Sequence, residues 1–80
     1  MQFVKICTYI EHLDSLIRKE STGPASEFSK RLGISERTLR NHLQQIRELG
    51  ADVIYDRYKR TYKYSQKGRL ILTFNREDKN

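Results

Sequence analysis

Eighty residues suit one small domain, because a chain this short buries only about 60 to 65 per cent of its unfolded surface and cannot support two hydrophobic cores. Hydrophobic residues make up 36% of the chain and charged residues 32%, and the regular spacing of the apolar residues favours a folded domain over a disordered chain. The formal net charge of +6 indicates a polyanionic partner without identifying it.

The positive charge is concentrated in one part of the chain. Residues 1–36 carry five cations and five anions, and residues 70–80 are also balanced. Residues 37–69 carry nine cations against three anions, so the whole net charge of +6 lies in this segment. A polyanion should therefore contact residues 37–69.

Cysteine usage and hydropathy indicate a cytoplasmic protein without a membrane partner. Cys7 is the only cysteine, so neither an intrachain disulfide nor a thiolate metal site can form, and we expect it to be a small buried hydrophobe. No apolar run approaches the roughly 20 residues that span a bilayer. Met1 is not followed by a signal-peptide pattern.

The first predicted element is a helix over about residues 2–20. Apolar residues recur there at steps of three and four, which places them on one face of a helix. These residues are Phe3, Ile6, Cys7, Ile10, Leu13 and Ile17. We expect this stripe to be buried, with Asp14 and Arg18 on the solvent side.

A second, shorter helix is expected over about residues 24–32. Pro24 interrupts the first helix and suits the first position of a new one, so we place the N-cap near Gly23. The inner face is formed by Ala25, Phe28 and Leu32. Gly33 follows at a position where helices end in a left-handed residue, a conformation that glycine adopts without a Cβ penalty.

A third helix is predicted over about residues 35–49, two residues after the second helix ends. Ser35 is the candidate N-cap, because its hydroxyl can accept from a free backbone N–H of the first turn. Glu36 suits the positive end of the helix dipole, and Gly50 ends the helix. The residues expected to face inward are Leu39, Leu43, Ile46 and Leu49.

After the third helix the spacing of the apolar residues changes from about 3.6 to about 2, which predicts a β-hairpin over about residues 52–65. Its inward residues are Val53, Tyr55, Tyr62 and Tyr64, and residues 57–60 form a polar turn. A short apolar run at about residues 69–74 is either a third strand or a cover for the first helix. Residues 75–80 form a charged tail that we expect to be frayed.

A short helix, a tight turn and a longer helix together make a helix-turn-helix, a motif whose second helix enters the DNA major groove. Residues 25–43 resemble the segment common to bacterial winged-helix regulators of the DeoR-like and biotin-repressor-like type. The core of the resemblance is Leu32-Gly33-Ile34-Ser35 followed by Arg37, Thr38 and Arg40, and Leu49-Gly50-Ala51 and Tyr62-Lys63-Tyr64 resemble the family's helix end and return strand. The resemblance covers roughly residues 3–65. It implies an α+β winged helix-turn-helix fold, with three helices followed by a two- or three-stranded antiparallel β wing.

The sequence departs from the family pattern at two places. Phe28 and Ser29 stand where the family more often has leucine and alanine, which favours a looser or shifted packing of the second helix. Thr61 stands where the family usually has a glycine just before the return tyrosine, so the family's wing turn does not carry over directly.

The exposed face of the third helix carries groups that suit DNA. At about 100° per residue, amide and guanidinium side chains lie opposite the leucines. Arginine can pair bidentately with guanine, and asparagine or glutamine with adenine, so this face suits the reading of base edges. The candidate DNA contacts are Ser35, Arg37, Thr38, Arg40, Asn41, Gln44, Gln45 and Arg47, the last as a phosphate contact or a solvated charge. The alternative is an ordinary solvated helix face.

The hairpin turn supplies a second group of candidate DNA contacts, namely Arg57, Tyr58, Lys59, Arg60 and Lys63. In winged-helix proteins, as the resemblance implies, such a loop reaches the DNA backbone or the minor groove. The alternative is a charged hairpin tip that only protects a sheet edge from pairing. We expect the strand tyrosines to be core residues rather than platforms for nucleobases, because their alternation matches a half-buried strand.

No pattern in the sequence indicates an enzyme. His12 and His42 have no partners at metal-ligand spacing, so we expect no metal. The sequence also lacks a glycine-rich phosphate loop, paired carboxylates and a nucleophile with a base, so we expect no cofactor and no catalysis.

The sequence therefore predicts one winged-helix domain over residues 1–80 that binds double-stranded DNA sequence-specifically as a transcriptional regulator. A protein-docking winged helix and a binder of structured RNA are the alternatives. The sequence does not decide the operator, an effector, activation or repression, or whether the chain is complete or an excised N-terminal domain. A homodimer also stays open, and the first helix or the last strand would be its interface.

Overall fold

The computed structural model describes residues 2–71, in which three helices precede a two-stranded antiparallel sheet. The helices are α1 (Phe3–Arg18), α2 (Ala25–Leu32) and α3 (Glu36–Glu48), and the strands are β1 (Val53–Asp56) and β2 (Thr61–Tyr64). The predicted fold class, a winged helix-turn-helix, is confirmed by this arrangement.

The hydrophobic core lies where the three helices meet β1. Its buried members are Leu13, Ile17, Phe28, Leu39, Leu43, Ile46 and Val53. The ring of Tyr62 packs against Phe28 with centroids 5.6 Å apart, and Tyr55, its partner in the strand register, lies 4.9 Å from Tyr62. Phe28 is fully buried, so this departure from the family pattern fills the core and does not loosen it. Tyr55 was expected to face inward, but it is 37% exposed.

The predicted burial is wrong for residues at the start of α1 and at the end of α3. Phe3 and Ile6 are 73% and 37% exposed, because α1 is longer than the core that it covers and its buried residues begin only at Leu13. Cys7 is likewise only half-buried. Leu49, expected to face inward, is 81% exposed, because the helical spacing ends one residue before it.

The turn of the helix-turn-helix is a hydrogen-bonded helix end. Gly33 has a φ of 70°, and the N–H of Ile34 donates to the carbonyl of Ser29 at 3.0 Å. This pattern satisfies the last carbonyls of α2 and needs a left-handed residue, which is why glycine occupies the position. The N-cap of α2 is Pro24 and not Gly23, since the carbonyl of Pro24 accepts the first helical N–H groups.

Thr22 attaches the β-hairpin to the loop between α1 and α2. Its N–H donates to Thr61 Oγ1 at 3.1 Å, and its own Oγ1 accepts from the N–H of Tyr62 at 2.8 Å. The left-handed residue of the wing turn is Arg60, with a φ of 53°, so Thr61 can be an ordinary strand residue where the family has glycine.

The predicted final strand is wrong over residues 69–71, which form no strand. The N–H of Leu70 donates to Asp14 Oδ1 at 2.9 Å, so this backbone bonds to a helix side chain and not to a neighbouring strand. Leu70 packs on the core beside α1, which agrees with the alternative prediction of a cover for the first helix. Residues 72–74 and the predicted tail at 75–80 lie outside the described residues.

Candidate nucleic-acid interface

One exposed face of α3, from its first turn to its middle, presents three polar side chains that are free to meet a partner. Arg37, Asn41 and Gln44 are exposed, and within residues 2–71 none of them has an intramolecular side-chain hydrogen bond or ion pair. Their spacing of three and four places them on one helix face. Gln45 is also exposed but lies beside this face, at the wall of the groove between α1 and α3.

The first turn of α3 is held by Ser35 and Thr38. Ser35 Oγ accepts from the N–H of Thr38 at 3.1 Å and donates to Thr38 Oγ1 at 3.0 Å, so the predicted N-cap is confirmed. Because the serine hydroxyl is the donor, the hydroxyl proton of Thr38 stays available for a phosphate oxygen. Ser35 is thus chiefly the residue that positions this turn.

Two arginines of α3 make intramolecular contacts that the sequence did not predict. Arg40 Nη2 lies 3.3 Å from Glu36 Oε1, one helical turn away, and both side chains are well exposed. Such a pair is weak and easily exchanged for a nucleic-acid contact. Arg47 Nε donates to the carbonyl of Val53 at 2.9 Å, which fixes the end of α3 against β1. Arg47 therefore connects the end of α3 to the first strand of the wing, and only its Nη groups remain available to bind a phosphate.

The wing turn is organised by Asp56. Its Oδ1 accepts from the N–H groups of Tyr58 at 2.9 Å and Lys59 at 3.1 Å, and its Oδ2 lies 3.4 Å from Lys63 Nζ. The backbone hydrogen bond from Lys59, followed by those of Tyr58 and Lys63, holds the pKa of Asp56 below its usual value. The carboxylate stays ionised and the turn stays closed.

The positive charges of the wing are not equivalent. Lys59 Nζ lies 3.1 Å from Glu20 Oε1, and this hydrogen bond raises the pKa of Lys59. Lys63 is paired with Asp56, as described above. Arg57 and Arg60 are exposed and have no acidic partner among the described residues, and Tyr58 between them is fully exposed. The uncompensated charge of the wing therefore lies on its two arginines.

Asp14 is a positioning residue that the sequence interpretation placed on the solvent side, although only 2% of it is exposed. Its carboxylate accepts from Tyr64 Oη at 2.6 Å, from Arg18 Nε at 2.8 Å and from the N–H of Leu70. Burial acts to raise the pKa of Asp14, but these three hydrogen bonds together hold it below its usual value. In the sequence, the only local indication of these contacts is the four-residue spacing of Asp14 and Arg18, which allows an ion pair on one helix.

A second pair joins α1 to α3. Tyr9 Oη lies 2.6 Å from His42 Nδ1, and the two rings meet edge to face with centroids 5.3 Å apart. Burial raises the pKa of Tyr9 to about 12, so the phenol keeps its proton in this hydrogen bond. His42 thus acts as a brace for α3, at a position where the sequence suggested no role.

Two properties of the described residues bear on other kinds of partner. No helix within residues 2–71 is both long and apolar enough to cross a membrane. The same residues hold no group of three or more histidine, cysteine or acidic side chains placed to share a metal ion.

The short α2, the turn at Gly33, the longer α3 and the attached hairpin define a winged helix-turn-helix. The family HTH_11, described as an HTH domain, matches residues 11–63, which are 53 of the 80 residues. The chain belongs to this family of helix-turn-helix DNA-binding domains. The matched segment runs from the middle of α1 into β2 and therefore includes α3 and the wing turn. A search of curated proteins and a search of solved structures returned no match.

Proposed function

We propose that this protein is a cytoplasmic transcriptional regulator of the bacterial DeoR-like or biotin-repressor-like type, which binds double-stranded DNA sequence-specifically through α3 and the wing. The observation that carries the proposal is the free polar face of α3. Arg37, Asn41 and Gln44 are exposed on a helix that is fixed at its start by Ser35 and at its end by Arg47. Guanidinium and amide groups on a rigid helix suit the base edges of the major groove.

The contacts divide into two kinds. Asn41 and Gln44 carry no charge and add little to non-specific attraction, so their role is sequence preference. Arg57 and Arg60 lie at the exposed tip of the hairpin and have no acidic partner among the described residues, so they suit phosphates or a narrow minor groove. Lys59 and Lys63 must give up an ion pair before they can bind phosphate.

The proposal is tested by selecting bound sites from a random duplex library and measuring the affinity of the selected site at several salt concentrations. We expect an enriched sequence, and an affinity that falls steeply as salt rises because phosphate contacts release counterions. Absence of binding to any duplex even at low salt would contradict the proposal and favour a protein-docking winged helix. Preferential competition by structured RNA would contradict it in favour of an RNA binder. The symmetry of the selected site would show whether two copies bind together.

A further inference from the structure

Glu36, the first residue of α3, pairs with an arginine of the same helix. Its Oε1 lies 3.3 Å from Arg40 Nη2, and the two side chains are 45% and 66% exposed. The helix dipole favours an acidic residue in a first turn, and Glu27 lies in the first turn of α2. Within residues 2–71, however, Glu27 has no cation at ion-pair distance. The contact with Arg40 is therefore a feature of Glu36 that the dipole does not require.

Arg40 lies between the free polar face of α3 and the wing. At about 100° per residue, it is turned by about 60° from Arg37. Arg47, two turns later, lies on the same flank as Arg40, and its Nε donates to the carbonyl of Val53 in β1 at 2.9 Å. In the proposed complex, Arg40 can therefore reach two kinds of acceptor, a base edge in the major groove and a phosphate of the backbone.

A guanidinium group that is bound to Glu36 can still hold a guanine. Its Nη2 carries two N–H groups, and each belongs to a different one of the two parallel N–H pairs of the side chain. When one of these N–H groups faces Glu36, the other parallel pair stays complete. Such a pair matches O6 and N7 of guanine. The carboxylate therefore leaves intact the groups that read the base.

The same carboxylate weakens the attraction of Arg40 to phosphate. A phosphate is anionic, and together Glu36 and Arg40 carry no net charge, so the long-range attraction is largely cancelled. The edge of guanine has no net charge, so its hydrogen bonds to Arg40 lose much less. An exposed pair need not be strong to have this effect, because it acts on the difference between two acceptors and not on the stability of the fold.

We propose that Glu36 is a specificity-determining residue, which directs Arg40 to a guanine in the major groove and away from the DNA backbone. The inference rests on the proposed function, because it requires α3 to lie in the major groove. Glu36 penalises the contact that every sequence offers and spares the contact that only guanine offers. It therefore lowers non-specific affinity more than specific affinity.

The test is site selection from a random duplex library with the unchanged protein, Glu36→Gln, Arg40→Ala and the double variant. Affinities for the selected and random duplexes are then measured at one salt concentration. The position at which Arg40→Ala relaxes the preference is the base pair that Arg40 reads. We expect Glu36→Gln to bind the random duplex about 3- to 10-fold more tightly and to lower the preference for guanine at that position by about threefold or more.

Two comparisons separate this role from a general effect of charge or stability. In the Arg40→Ala background, Glu36→Gln should leave the base preference unchanged. Glu27→Gln, the matched control, makes the same change of charge in the first turn of α2 and should also leave it unchanged. Base preference is a ratio of affinities for one protein sample, so a partly unfolded variant does not alter it.

Four results would overturn the inference. The first is a full preference for guanine in Glu36→Gln, and the second is an Arg40→Ala variant that relaxes no position. The third is an effect of Glu36→Gln that persists without Arg40, which would make Glu36 itself a base reader. The fourth is an equal loss of preference in Glu27→Gln. If the unchanged protein enriches no sequence, the proposed function fails and this inference with it. If a sequence is enriched and any of the four results is found, only this inference fails.

Discussion

At the scale of single residues, Asp14 connects the most distant parts of the described chain. Its carboxylate receives a hydrogen bond from Tyr64, 50 residues away, and another from Leu70, 56 residues away. These partners explain how a charged residue can be buried, because an ionised carboxylate in the interior needs several donors. The helical pattern around it could not reveal them, which is why the sequence placed Asp14 in solvent.

Asp14→Asn should destabilise the fold. Tyr64 and Leu70 both donate to Oδ1, which in asparagine becomes a neutral and weaker acceptor, and Oδ2, the acceptor of Arg18, is replaced by an NH2 group that cannot accept. We expect a loss of about 1 to 3 kcal/mol in the free energy of unfolding, measured by urea denaturation. Glu11→Gln, an exposed carboxylate on the same helix, is the control and should change it by less than about 0.5 kcal/mol. Equal effects of the two variants would contradict the role of Asp14.

The same carboxylate predicts a dependence of stability on pH. Since the folded pKa of Asp14 is lowered from 3.8, the contribution of the ionised form is present above that value and is lost as the pH falls through the lowered pKa. Urea denaturation at a series of pH values from about 6 to about 2 should therefore show stability falling below about pH 4. The fall should be shallower in the Asp14→Asn variant. A parallel fall in both proteins would assign the effect to other carboxylates.

At the scale of elements, the periodicity of apolar residues was enough to predict three helices and a hairpin. Gly33 and Ser35 correctly predicted the turn after α2 and the N-cap of α3, because both features depend on local backbone geometry. The segment at 69–71 could not be predicted in the same way, since its backbone partner is a buried helix carboxylate. The ion pair of Lys59 could not be predicted from the sequence either, because its partner Glu20 lies 39 residues earlier in the chain.

The wing gives a prediction that separates its arginines from its lysines. Arg57→Ala or Arg60→Ala should weaken binding to selected and random duplexes alike. Each should also make the fall of log affinity with log salt concentration less steep, by about 1 unit of slope. Lys59→Ala should have a smaller effect, because Glu20 already neutralises that ammonium group. Salt titrations of all three variants on one random duplex make the comparison. A larger effect of Lys59→Ala would show that its ion pair opens on DNA.

At the scale of the whole molecule, a charge-neutral first half supports a basic second half. The net charge of +6 lies within residues 37–69, which run from α3 through the wing. Arg47 joins these two elements, and Thr22 and Asp14 attach the hairpin to the helices, so the fold holds the recognition helix and the wing in one arrangement. Composition and charge count pointed to this surface. Which cations on it are uncompensated depends on contacts between elements, and only the structure shows them.

The measurement that tests the central claim most directly is the affinity of Asn41→Ala for a selected duplex and for a random one. This substitution leaves the net charge at +6, so it removes a group that can read a base edge without altering electrostatic attraction. Gln2→Ala, which removes an exposed amide at the start of α1, is the matched control. We expect Asn41→Ala to weaken binding to the selected duplex by about 5- to 150-fold, equivalent to about 1 to 3 kcal/mol, and to leave binding to the random duplex unchanged. An equal loss on both duplexes, or no loss on either, would contradict the role of α3 in sequence recognition.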